Sequence, residues 1–125
     1  MQTFIKNSSK KNGYDILNDE MDEKNSIEKF IYGIANCKAV ITDSYHGTIF
    51  SIIFNKPFVT FIFSGNPKER FISLKETFKI ENRIFDYNEN PNISLLTTPL
   101  NINYTLINMY KYQSINFLKK NLGLI

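Results

Sequence analysis

The sequence predicts an α/β protein with a Rossmann-like parallel sheet and flanking helices, and two observations carry that prediction. Apolar runs of strand length stand at Ala39–Thr42 and Phe58–Phe63, and segments with helical periodicity precede, separate and follow them. Strands that alternate with helices pair in parallel through right-handed crossovers. Because such sheets bind ligands beyond the carboxyl ends of their strands, we expect a functional site where the first run ends.

Size and composition indicate a single globular domain. The chain has 125 residues, of which 42% are hydrophobic and 22% charged, and its formal net charge is +3. Because that charge is spread along the chain, we expect no nucleic-acid partner. The single cysteine, Cys37, excludes an internal disulfide and favours a reducing compartment. No apolar run approaches the roughly 20 residues of a membrane span. We therefore expect a cytoplasmic protein, and leave open a peripheral association with the inner face of the membrane.

Caps and periodicity place the elements. The first helix should span about Ser26 to Asn36 with Asn25 as its cap, and the second about His46 to Phe54, ended by Asn55. The other predicted elements are a short strand at Thr3–Ile5, a helix begun by Asn66 and Pro67 with Phe71, Leu74 and Phe78 inward, a short strand at Arg83–Phe85, a loop over Asn88–Leu100, and a last helix from about Asn103 to Asn121.

The segment 42-TDSYHG-47 joins the predicted strand Ala39–Thr42 to the second helix and holds the only histidine of the chain. The oxygens of Thr42, Asp43 and Ser44 suit the start of a helix, where free N–H groups favour a phosphate or a carboxylate. Gly47 allows a ligand or another backbone to come close. Two interpretations of His46 stay open here, a structural histidine and a functional one. Three interpretations of Asp43 stay open: a helix cap, a carboxylate that orients His46, or a proton acceptor.

A second candidate segment, 64-SGNPKERF-71, follows the neighbouring strand. Lys68 and Arg70 would bring positive charge toward an anion bound beside His46; the alternative is an ordinary capped helix with two exposed cations. The sequence lacks GxGxxG, GxxxxGK[ST] and GxSxG, which removes the usual dinucleotide, P-loop and serine-hydrolase interpretations. One histidine and one cysteine do not make a metal site.

Three runs of this chain resemble the polysaccharide pyruvyl transferase family. The most specific is 39-AVITDSYHGTIFSIIFNKPFV-59, with a strand, a polar turn containing His-Gly, an apolar helix, Asn-Lys-Pro and a second strand. The run 66-NPKERFISLKETFKIENRIFD-86 is similar to the family's basic loop with the helix and strand that follow, and 115-INFLKKNLG-123 is similar to its last helix. The resemblance covers the chain from about Ser26 onward.

The resemblance implies one half of a GT-B-like enzyme, with an active cleft between two Rossmann-type halves. It implies transfer of a pyruvyl group from phosphoenolpyruvate to a sugar of a cell-surface polysaccharide, with no further cofactor. His46 is the matching histidine and the candidate acid/base group or phosphate contact, and Asp43 is the second catalytic candidate. The candidate substrate contacts are Ser44, Gly47, Thr48, Lys68 and Arg70.

Two departures from the family pattern are visible. Many members carry an arginine two residues before the histidine, where this chain has Ser44. We also expect only the C-terminal half of the enzyme, with residues 1–25 as a partial N-terminal strand and polar loop and residues 26–125 as the Rossmann-like domain. Met1 would then be either a true start or the result of truncation. The other wall of the cleft would come from a separate N-terminal half or from a homo-oligomer.

Two alternatives to a pyruvyl transferase stay open at this point. One is half of a GT-B glycosyltransferase that binds a nucleotide sugar at the same helix start. The other is a non-catalytic remnant or a partner-binding module, which would expose an apolar patch on the face that meets its partner.

Overall fold

The computed structural model describes residues 2–7, 13–17, 24–63 and 68–121. Within these ranges five strands form one sheet in the order β2-β1-β3-β4-β5. The strands are β1 (Thr3–Lys6), β2 (Asp15–Leu17), β3 (Ala39–Thr42), β4 (Phe58–Ile62) and β5 (Ile84–Asp86). The helices are α1 (Lys24–Asn36), α2 (Tyr45–Ile53), α3 (Lys68–Phe78) and α4 (Tyr104–Asn121), with short 3-10 segments at Glu81–Arg83 and Ile93–Thr97.

The α/β class and the Rossmann-like arrangement are confirmed. β3 pairs in parallel with β4, and β4 with β5, which is the pairing that the alternation of strands and helices predicts. β1 pairs antiparallel with both β2 and β3, and this antiparallel part was not predicted. The short connection over residues 7–14 accounts for the pairing of β1 with β2, since parallel strands need a crossover of a dozen or more residues.

The boundaries of the first two helices are shifted relative to the sequence prediction. α1 begins at Lys24, so the expected cap Asn25 lies inside the helix. α2 begins at Tyr45, one residue earlier than predicted, and Ser44 is its cap. Asn55 follows α2 with a φ of 54°, the left-handed conformation expected of a residue that stops a helix.

The later elements agree more closely with the prediction. The start of the third helix at Asn66 and Pro67 lies outside the described residues, but Phe71, Leu74 and Phe78 of α3 are buried as expected. The Asn103 side chain caps α4 by accepting a hydrogen bond of 2.8 Å from the amide of Thr105. The predicted loop over residues 88–100 contains the 3-10 segment Ile93–Thr97.

The four described α-helices share one face of the sheet. The strand order runs in one direction from β3 to β5, so the two right-handed crossovers leave α2 and α3 on the same side. The main hydrophobic core forms between this face and the helices, with Phe30, Phe50, Phe58 and Phe71 nearly inaccessible. The burial of these large aromatic side chains supplies much of the driving force for folding.

The opposite face of the sheet is covered by the 3-10 segment Ile93–Thr97. Leu96 of this segment packs on Ala39 and Val59 in a second, smaller core. A buried arginine, Arg83, anchors the same stretch of chain to β4, since its guanidinium reaches both. The second layer is therefore thin, and Arg83 is a polar anchor for it.

Arg83 makes its hydrogen bonds to backbone carbonyls. Nη1 donates to the carbonyls of Phe58, at 3.3 Å, and Leu95, while Nη2 donates to those of Thr98 and Pro99, at 2.7 and 3.4 Å. The residue is only 3% exposed, and burial lowers the pKa of its guanidinium. The planar fork of an arginine suits such multiple contacts, which a lysine cannot reproduce.

A close approach at Gly47 presses the first turn of α2 onto the sheet. A Cβ at this position would lie 2.5 Å from Thr42 Oγ1 and 3.0 Å from Thr3 Oγ1. Both hydroxyls are buried and are hydrogen-bonded to each other at 2.7 Å, so neither moves aside easily. Gly47 therefore fixes how near α2 lies to β1 and β3.

We predict that Arg83→Met lowers the free energy of unfolding by about 2–4 kcal/mol, because it removes the donor to the buried carbonyl of Phe58 and to the part-buried carbonyls of Leu95 and Thr98. Urea denaturation followed by circular dichroism measures this change. Limited proteolysis should also show new cleavage within residues 88–100, because Arg83 holds their carbonyls. Lys119→Met, at an exposed cation in the last turn of α4, is the control and should change the stability by less than about 0.5 kcal/mol. Equal stability of the two variants would contradict the anchoring role.

We predict that Gly47→Ala lowers the free energy of unfolding by about 1–3 kcal/mol, because the added methyl group overpacks a rigid contact. Gly33→Ala in α1 is the matched control. Its Cβ would meet the methyl groups of Leu17, the nearest at 2.8 Å, and these lie at the end of a flexible side chain. Replacing a glycine inside a helix by alanine stabilises the helix by about 0.5–1 kcal/mol, which offsets part of the cost of that contact. A Gly47→Ala protein as stable as Gly33→Ala would show that α2 does not lie this close to the sheet.

Candidate active site

The candidate site begins where β3 ends and α2 starts. Ser44 is the cap residue of α2, with φ −94° and ψ 135°, and its Oγ accepts a hydrogen bond from the amide of Gly47 at 3.2 Å. Asp43, for which the sequence left a capping role open, makes a different contact. Its Oδ1 accepts a hydrogen bond of 2.6 Å from the amide of Gln2, and its own amide donates to the carbonyl of Gln2 at 3.0 Å. Asp43 therefore ties the end of β3 to the chain just before β1.

A buried network of hydroxyl groups supports this junction. Thr48 Oγ1 donates to the carbonyl of Ser44 at 2.9 Å and shares a hydrogen bond of 2.7 Å with Thr60 Oγ1. Ser51 Oγ donates to the carbonyl of Gly47 at 2.7 Å. Ser44, Thr48, Ser51 and Thr60 are all 0% exposed. The network holds α2 against β4 and leaves no buried hydroxyl among these four without a partner.

This network determines what the predicted contacts Ser44, Gly47 and Thr48 do in the folded chain. Their side chains and surfaces lie beneath the first turn of α2 rather than on its outer side. The amide of Gly47 donates to Ser44 Oγ and that of Thr48 to the carbonyl of Ser44, at 3.0 Å. An anion that used these two amides would have to displace bonds within the protein. Their role as substrate contacts remains a prediction, and the structure gives them a supporting role.

His46 has a different position, because its half-buried side chain borders an open cavity of about 380 Å³. We call this cavity the His46 hollow. Helix α2 supplies one side, α3 contributes Arg70, and α4 supplies the side across from α2. The described residues that line the hollow are Tyr45, His46, Ile49, Phe50, Arg70, Tyr110, Gln113 and Ser114.

The ring of Tyr45 brings His46 and Arg70 to the same part of the hollow. The Cζ atom of Arg70 lies 4.1 Å from the centroid of the Tyr45 ring, which is the geometry of a cation–π contact. The imidazole of His46 meets the same ring edge-to-face, with centroids 5.9 Å apart. Phe71 packs against Tyr45 from α3, with centroids 6.0 Å apart. A guanidinium and an imidazole are thus held beside one cavity by a single aromatic side chain.

Of the two cations that the sequence analysis proposed, only Arg70 lines the hollow. Lys68 is exposed, and its Nζ lies 3.8 Å from Asp86 Oδ1 at the end of β5. Two residues along a helix correspond to a rotation of about 200°, so Lys68 and Arg70 cannot face the same way. Any contact of Lys68 with a ligand in the hollow remains a prediction.

Of the eight described residues that line the hollow, the sequence predicted His46 and Arg70 and missed six, four of which carry polar groups: Tyr45, Tyr110, Gln113 and Ser114. Tyr45 lies inside the segment 42-TDSYHG-47, but the local sequence does not show that its ring contacts α3. The three residues of α4 are separated from His46 by more than 60 positions and reach it only through tertiary packing. A usable signal was their spacing, since positions i, i+3 and i+4 share one helix face.

Other reactive groups in the described part of the chain do not form a site. Cys37 is buried, its Sγ donates to the carbonyl of Ile34 at 3.2 Å, and burial raises the pKa of the thiol. Cys37 is therefore a packed thiol rather than a reactive one. No group of three or more potential metal ligands is found among the described residues. Of the helices that the structure describes, none has both the length and the apolar character needed to cross a bilayer.

Comparison with known proteins adds one finding to this geometry. A family model described as polysaccharide pyruvyl transferase matches residues 2–64, which run from β1 through β4 and include His46. Neither the curated proteins nor the solved structures contain a match to the chain. The matched segment is half of the chain and contains the junction that carries the candidate site. The chain therefore belongs to the polysaccharide pyruvyl transferase family.

Proposed function

We propose that this chain supplies the donor side of a pyruvyl transferase active site, in which phosphoenolpyruvate binds in the His46 hollow. The observation that carries the proposal is the pairing of an imidazole and a guanidinium beside one cavity, both in contact with Tyr45. Phosphoenolpyruvate carries a phosphate and a carboxylate, and both suit a guanidinium. Its methylene carbon must be protonated, which requires an acid.

The proposed reaction converts an enol phosphate and two sugar hydroxyls into a ketal and inorganic phosphate. A proton added to the methylene carbon forms the methyl group and leaves an oxocarbenium-like centre at the adjacent carbon. The oxygen of one sugar hydroxyl then bonds to that carbon. The bond between the carbon and the phosphate oxygen breaks, and the oxygen of the second hydroxyl bonds to the carbon in its place. Of the two hydroxyl protons, one balances the proton in the methyl group and the other leaves with phosphate. No oxidant, reductant or further cofactor is needed.

We assign roles to the residues of the hollow from their positions. His46 is the acid/base group, because its imidazole borders the cavity. Arg70 binds the phosphate or the carboxylate and supplies the positive charge that many family members place at the position of Ser44, which here is a buried cap. Asp43 is the second catalytic candidate and acts near the same junction, while Lys68 assists only if it leaves Asp86.

The acceptor in this proposal is a sugar of a cell-surface polysaccharide, modified on the cytoplasmic side of the membrane during exopolysaccharide or envelope synthesis. The second wall of a GT-B-like cleft comes from another protein segment, either a separate N-terminal half or another copy of the chain. Binding of the donor needs only the part of the hollow formed by α2 and α3, and can be measured on this chain alone. Turnover is expected once the second wall is present.

We predict that phosphoenolpyruvate at about ten times its Kd raises the melting temperature of the wild-type chain by roughly 5 °C, because it binds only the folded state. Arg70→Ala should remove most of this rise, since the anion loses its cation. His46→Gln should retain binding and abolish pyruvyl transfer in the completed enzyme. Differential scanning fluorimetry measures the first two effects, and phosphate release measures the third.

Lys75→Ala is the matched control, because it removes a cation of α3 outside the hollow and should leave the shift unchanged. The proposal fails if phosphoenolpyruvate does not stabilise the wild-type chain, or if it stabilises Arg70→Ala equally. Stabilisation by UDP-glucose in place of phosphoenolpyruvate would favour the glycosyltransferase alternative. Indifference to both ligands would favour a non-catalytic module.

A further inference from the structure

The stripe of α4 that contains residues 106, 107, 110, 113 and 114 changes from apolar to polar along the helix. Leu106 and Ile107 pack on the main core, and Tyr110, one turn later, packs on Phe78 with ring centroids 5.0 Å apart. The next positions of the same stripe, 113 and 114, are glutamine and serine. Apolar side chains there would extend the contact with α2, whereas the polar pair lines the His46 hollow.

The two sides of the hollow therefore differ in chemistry. The side formed by α2 and α3 carries the titratable imidazole of His46 and the charged guanidinium of Arg70. The α4 side carries a carboxamide, a hydroxyl and the aromatic ring of Tyr110, none of which is charged at neutral pH. One cavity thus has an anion-binding side and a neutral polar side.

A neutral polar side next to an aromatic ring suits a saccharide. A pyranose presents hydroxyl groups that both donate and accept hydrogen bonds, together with an apolar C–H face. A glutamine amide can donate and accept, a serine hydroxyl can do both, and a tyrosine ring offers an apolar surface with a polar end. The hollow, at about 380 Å³, lies within the roughly 300–1,000 Å³ typical of small-ligand pockets.

We propose that Tyr110, Gln113 and Ser114 of α4 form a subsite for the acceptor sugar, across the His46 hollow from the donor. Gln113 and Ser114 bind the hydroxyls of a neutral pyranose, and the ring of Tyr110 lies against its C–H face. The proposal rests on the proposed function, which places the anionic donor beside Arg70. It adds that residues of α4 determine which sugar is accepted.

The test is a titration of the ¹⁵N-labelled chain with methyl β-D-glucoside and methyl β-D-galactoside, followed by NMR, with and without phosphoenolpyruvate. The two glycosides differ only at C4, so a difference in affinity reports recognition of an individual hydroxyl. We expect shifts of the Gln113 side-chain amide and of the Ser114 backbone amide. Gln113→Leu and Ser114→Ala should each weaken glycoside binding by about threefold to tenfold, the equivalent of one hydrogen bond. Both should leave the affinity for phosphoenolpyruvate unchanged.

Asn108→Ala is the matched control, because it removes an exposed carboxamide from the same helix outside the hollow. The subsite is contradicted if neither glycoside shifts the α4 resonances, or if both α4 variants bind the glycosides as the wild-type chain does. Those results leave the proposed function intact as long as phosphoenolpyruvate still shifts the His46 and Arg70 resonances. A chain that binds glycosides through Gln113 and Ser114 but not phosphoenolpyruvate would uphold the subsite and refute the donor site.

Discussion

The hydroxyl of Thr42 is the contact on which the arrangement of the site depends. It is hydrogen-bonded to Thr3 Oγ1, accepts from the amide of Ser44, and lies where a side chain at position 47 would have to stand. The glycine at that position lets α2 rest directly on β1 and β3. Since successive residues of a helix are turned by about 100°, a Gly47 that faces the sheet turns His46 away from it. The packing of a glycine against a threonine thus directs the imidazole toward the hollow.

The same contact explains why the segment is rich in small polar residues. Ser44, Thr48, Ser51 and Thr60 form a network that is fully buried and internally hydrogen-bonded, and this allows a polar sequence to lie in the interior at little cost. Most of the polar residues of the segment therefore hold the helix start in place. In the proposed function the chemistry belongs to His46, whose side chain borders the hollow above this support.

The sequence predicted features that depend on neighbouring residues better than features that depend on contacts between distant parts of the chain. β3, with three of its four residues buried, and the inner face of α3 follow from local patterns, and the structure agrees with both. β2 was missed because three residues at the edge of a sheet give no usable periodicity. The cap of α2 stayed open in the sequence, because Thr42, Asp43 and Ser44 all suit the start of a helix; in the structure Asp43 bonds to Gln2 and Ser44 is the cap. The hollow itself depends on contacts between α2, α3 and α4, which no local pattern encodes.

The hollow joins parts of the chain with different relations to the family. His46 and Tyr45 lie within the family match, whereas Arg70, Gln113 and Ser114 lie beyond it. In the proposed reaction His46 must stand at a fixed place relative to the reacting carbon, and the buried network beneath α2 holds the helix that carries it. Residues that bind the remote parts of a ligand have more freedom, because many arrangements of cations, amides and hydroxyls give similar binding energy. The junction between β3 and α2 is therefore the part of the hollow whose geometry the proposed reaction constrains most tightly.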